Sequence, residues 1–77
     1  MKELLVSIAS GLVESPSEVK VVEEEPNEAG VIVFHLQVAE NDVGRVIGKQ
    51  GRIANAIRVV MRAAANRNNQ NISVEID

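Results

Sequence analysis

Val46-Ile47-Gly48-Lys49-Gln50-Gly51-Arg52-Ile53-Ala54-Asn55-Ala56-Ile57, residues 46–57, decides how this chain reads. Two glycines bracket two polar residues, and helical patterns run in from one side and out from the other. Glycine lacks a Cβ, so the backbone can turn sharply there and approach another molecule closely. The turn feeds a helix whose first N–H groups lack internal partners and carry partial positive charge. Such a helix start accommodates phosphate. Lys49 and Arg52 add full positive charge, and Val46, Ile47, Ile53 and Ile57 can anchor both flanks in a core. A stiff, cationic, glycine-bracketed turn suits a sugar-phosphate backbone.

The charge distribution agrees. The chain carries a net charge of −3, which alone argues against a polyanion partner. Yet residues 43–67 hold Arg45, Lys49, Arg52, Arg58, Arg62 and Arg67 with no carboxylate, while the rest holds two lysines against all eleven carboxylates. Binding responds to the local field rather than to the total.

Working outward, Leu4, Leu5, Ile8 and Leu12 recur at helical spacing over residues 2–13, and Pro16 ends that helix. Residues 17–25 alternate in part and predict a strand. Pro26 to Gly30 predicts a turn, and residues 30–39 a second strand with Ile32, Phe34, Leu36 and Val38 on one face. Asn41 or Asp42 is expected to cap a short helix over 43–47. A longer helix follows over about 50–66, its core face set by Ile53, Ile57, Val60, Met61 and Ala64. Ile72, Val74 and Ile76 predict a last strand. The order αββααβ implies an antiparallel hairpin, a helical crossover and a two-layer α+β sandwich with helices on one sheet face. Seventy-seven residues make a single domain, 1–77, near the lower limit for a self-sufficient core.

Composition excludes several classes. There is no cysteine, so neither disulfides nor thiolate metal sites are available. No apolar run is long enough to span a bilayer, and the N-terminus is a poor secretory signal, so the chain is expected to be cytoplasmic. Phe34 is the only aromatic residue, which removes recognition by aromatic stacking. A P-loop would need glycine at Val43 and Ser or Thr at Gln50, and a dinucleotide fingerprint would need glycine at Val46. His35, the sole histidine, reads as a sheet-surface residue. Glu23, Glu24, Glu25 and Glu28 lack the spacing of a calcium loop and read as a solvated hairpin end. No enzyme activity, metal, cofactor, small-molecule substrate or membrane partner is expected.

Val46-Ile47-Gly48-Lys49-Gln50-Gly51 resembles the Ile-Gly-x-x-Gly signature of the KH domain, and αββααβ resembles its type II arrangement. The resemblance covers nearly the whole chain and is closest to the small stand-alone bacterial KH proteins. It implies that Gly48, Lys49, Gln50 and Gly51 form a loop contacting the backbone of about four unpaired nucleotides. It further implies that Val43, Gly44, Arg45, Ile47, Ile53, Ala54 and Ile57 line or support the adjoining groove. From the charge pattern, Arg52 is expected to assist Lys49 at the turn, and Arg45, Arg58 and Arg62 to extend the positive track. Many KH loops carry isoleucine three residues after the second glycine, where this chain has Ala54, with Ile53 one residue earlier. The implied function is single-stranded RNA binding, as an RNA chaperone or post-transcriptional regulator. The alternative is a protein-interaction module. Ala56, Val59 and Ala63 form a small apolar strip suited to a dimer contact, and the resemblance implies self-association or pairing with a larger KH-containing partner.

Overall fold

A computed structural model describes residues 1–76, leaving aside the side chain of Lys49. The elements run α1 (Lys2–Ser10), a 3-10 turn (Pro16–Glu18), β1 (Lys20–Glu23), β2 (Val31–Gln37), α2 (Glu40–Arg67) and β3 (Asn71–Ile76). The sheet has the order β1-β2-β3. β1 pairs antiparallel with β2, with Val21 opposite Leu36, and β3 pairs parallel with β2, with Val74 opposite Phe34. These pairs bury Val21, Leu36, Phe34 and Val74 on one face. Because side chains alternate along a strand, Val22, His35 and Glu75 fall on the other. The fold is the expected two-layer α+β arrangement, with a mixed sheet under helices.

The core joins both layers. Leu5 and Ala9 of α1 meet Val46, Ala54, Ile57 and Met61 of α2 over the strand residues Val21, Phe34, Leu36 and Val74. At the hairpin tip, the Asn27 side-chain oxygen accepts the N–H groups of Ala29 and Val31 at 2.9 and 3.0 Å. His35 pairs through Nε2 with Glu24 on the uncovered sheet face.

Four expectations need correction. The first helix stops at Ser10, not 13, with Gly11 as its C-cap. The segment expected to begin the first strand at 17 is a 3-10 turn started by Pro16, and strand pairing starts only at Lys20. The two helices expected over 43–47 and 50–66 form one helical element, entered at Glu40 through Ala39 with no side-chain cap. Its φ angles at Gln50 and Gly51 are 64° and 70°, so two helical arms meet at a left-handed step. Finally, Val60 stays 46% exposed, whereas Ala54 and Ala65 join Ile57 and Met61 in the core. The second arm lies on the sheet slightly rotated from the expected angle, which puts Val60 at its rim.

Candidate nucleic-acid interface

The first arm of α2 reaches the left-handed step with glycine at every fourth position, Gly44 and Gly48. Residues four apart share a helix face, so this face is bare backbone. A Cβ placed on either glycine would meet nothing within 4 Å. The bare face is one side of a cleft of about 380 Å³ lined by Asn41, Gly44, Arg45, Gly48 and Ile53. Ile53 comes from the second arm, so the cleft lies in the angle between the two arms.

At the turn itself, the chain changes hand between Gly51 and Arg52. Such reversals can make successive backbone N–H groups converge on an anion. Gln50 tolerates the left-handed region at some cost, while Gly51 occupies it without a Cβ penalty. Gln50 and Arg52 are exposed. The arrangement puts positive charge at Arg45 and an apolar side chain at Ile53 around an open trough.

Electrostatics on the other rim are more elaborate. Asp42 is 0% exposed and accepts the backbone N–H groups of Glu14 and Ser15, both at 3.0 Å. Arg45 Nε lies 3.9 Å from Asp42, and its terminal nitrogen pairs with Glu14. Asp42, expected as a helix cap, therefore fastens the chain after α1 to the start of α2. Sequence spacing gave no signal for this, because the partners lie 27 and 28 residues apart.

Of the expected groove residues, Gly44, Arg45, Gly48 and Ile53 come together at the cleft. Val43 is half-buried, and Ile47 is exposed. Ala54 turns into the core, leaving Ile53 as the hydrophobic wall. Arg58 is not at the cleft. It lies five residues beyond Ile53, roughly 140° around the helix axis, and its Nε donates to the Val74 carbonyl at 3.2 Å. Arg62 lies further along, lining a second depression of about 240 Å³ with Asn66, Gln70 and Asn71 at the far end of α2. Asn41, one of the two residues expected as a cap, lines the cleft and makes no cap hydrogen bond. Ala56, Val59 and Ala63 are all exposed, Val59 by 64%.

The αββααβ order, the mixed three-stranded sheet and the glycine-bracketed turn between two helical arms define a KH domain of type II. The chain belongs to the KhpA/KhpB KH-domain family, whose sequence description matches residues 2–76. It is 51% identical over 76 residues to RNA-binding protein KhpA of Clostridium acetobutylicum, covering 99% of both chains. It is 43% identical to RNA-binding protein KhpA of Listeria monocytogenes, covering 99% of this chain and 97% of the relative. Among solved structures, it superposes with a TM-score of 0.71 on Era in complex with MgGDPNP and nucleotides 1506–1542 of 16S ribosomal RNA. That likeness, at 22% identity, covers 97% of this chain but 28% of Era, and it concerns the fold.

Proposed function

We propose that this chain binds single-stranded RNA, with the backbone strand crossing the cleft between the two arms of α2. The observation that carries this reading is the side-chain-free face of Gly44 and Gly48 beside the left-handed Gln50–Gly51 step. A sugar-phosphate chain can approach bare backbone there more closely than any surface covered by side chains. Backbone amides of 48–52 would hold phosphates, with Lys49 and Arg52 adding charge and Ile53 offering an apolar contact to a base. Naming of the KhpA relatives as RNA-binding proteins supports the same partner. Lacking an aromatic platform, a site for about four nucleotides would read bases weakly and grip the backbone. The biological role fitting that profile is RNA chaperoning or post-transcriptional regulation in the cytoplasm, with no chemical step. Among the described residues, no helix is long and apolar enough to cross a membrane.

A gel shift with short unpaired RNA tests this directly, comparing the wild type with the double variant Lys49→Asp/Gln50→Asp. The variant should lose binding, and wild-type affinity should fall steeply with salt as counterions are released. Equal affinity for both proteins rejects the reading.

A second reading concerns assembly. Ala56, Val59, Val60 and Ala63 leave an apolar strip exposed along the second arm. A second copy, or another KH protein, docking there would bring two RNA sites into one particle and add avidity. Light scattering of Ala63→Glu should then show a smaller particle than the wild type, while a wild type that is already monomeric removes self-association.

A further inference from the structure

We infer that Glu14 is a built-in competitor for the RNA phosphate at Arg45, held on the groove rim by Asp42. This rests on the RNA-binding reading and adds what sets its stringency. A buried carboxylate is costly unless donors surround it. Asp42 meets that requirement with two backbone N–H groups and the nearby Arg45 guanidinium. Its hydrogen bonds fix the backbone of residues 14 and 15 against the first turn of α2. Glu14 is therefore delivered to one place, and its carboxylate pairs there with the terminal nitrogen of Arg45.

Arg45 also lines the cleft with Gly44 and Gly48. A guanidinium at that position is the natural partner of a passing phosphate. Here one terminal nitrogen of that fork is already engaged by a carboxylate, the protein's own anion. Both side chains are substantially exposed, so the pair is weak enough to be displaced. A phosphate that takes the fork of Arg45 in full must push Glu14 aside, and Glu14 repels a strand that does not. Ligands offering only negative charge lose most from this. A strand that also docks its backbone on the glycine face and the turn amides still gains contacts that Glu14 does not oppose. Selectivity thus includes a repulsive element beside the attractive one.

The test is fluorescence anisotropy with a short labelled unpaired RNA across a salt series. Glu14→Gln should tighten binding about three- to fivefold at low salt. Its plot of log affinity against log salt should steepen by about 0.7, the increment of one added single-strand phosphate contact. Glu75→Gln is the control, because it removes the same charge from the sheet face opposite the helices. In an Arg45→Gln background, Glu14→Gln should give no more than the control does. Equal affinity and slope for Glu14→Gln and Glu75→Gln, with RNA still bound, overturns the inference alone. Absence of RNA binding by every variant overturns the reading beneath it as well.

Discussion

Gln50 and Gly51 are consecutive residues that share the left-handed region, at φ 64° and 70°, inside one helical element. Helical residues precede and follow them, so these two alone redirect the chain. The redirection sets the angle between the arms, and the cleft lies in that angle. The strained step thus joins the two arms that line the cleft.

A first prediction follows from the sign of that strain. Gly51→Ala has room for its Cβ, whose nearest neighbour is 4.0 Å away, so its cost is conformational, about 1–2 kcal/mol. Gln50→Gly should be neutral or stabilise by up to about 1 kcal/mol, because it removes a strained residue. Glycine in the regular arm, as in Ala56→Gly, should instead cost about 1 kcal/mol. Urea melts of the three variants measure this directly.

A Gly48 variant should separate folding from binding. Its φ is not left-handed and its Cβ would meet nothing, so Gly48→Ala should fold at least as stably as the wild type, gaining up to about 1 kcal/mol. The same methyl group would stand on one side of the cleft. Affinity for unpaired RNA should fall at least about threefold, roughly 0.7 kcal/mol. Paired thermal melts and anisotropy titrations would show the two quantities moving in opposite directions.

Asp42→Ala should be among the most damaging single changes. It leaves the Glu14 and Ser15 N–H groups without their acceptor, and hydrogen bonds to a charged group contribute about 1.5–3 kcal/mol each. A loss of about 3 kcal/mol in a domain of this size lowers the melting temperature by roughly 15 °C. A differential scanning measurement checks it.

The placement of α2 on the sheet is testable with two neighbours. Met61 is fully buried, and Met61→Ala should cost about 2–5 kcal/mol. Val60, nearly half exposed, should tolerate alanine within about 0.5 kcal/mol in the monomer. Comparable losses for both would mean that the arm sits as its apolar periodicity alone suggests.

Local signals in the sequence were strong where one stretch of chain determines the outcome. The glycine-bracketed turn, the alternation around Phe34 and Leu36, and the Pro26–Gly30 turn could each be read from a few adjacent residues. Contacts between distant segments could not. Asp42 looked like a helix cap because Asp favours caps, yet its carboxylate serves residues 14 and 15. The pairing of Glu14 with Arg45 was hidden for the same reason. Arg58 illustrates a different limit. It shares the basic segment with Lys49 and Arg52, but charge clustering along the chain ignores angle around the helix, and that angle turns Arg58 toward Val74.

The most direct measurement of the central claim is a map of backbone amide shifts on adding short unpaired RNA to the isotopically labelled protein. The account predicts the largest shifts at Gly44, Arg45 and residues 48–53, with little change at Val22, His35 and Glu75 on the uncovered sheet face. Shifts centred on that sheet face, or on Asn66, Gln70 and Asn71 at the far end of α2 with the glycine turn unmoved, would contradict it.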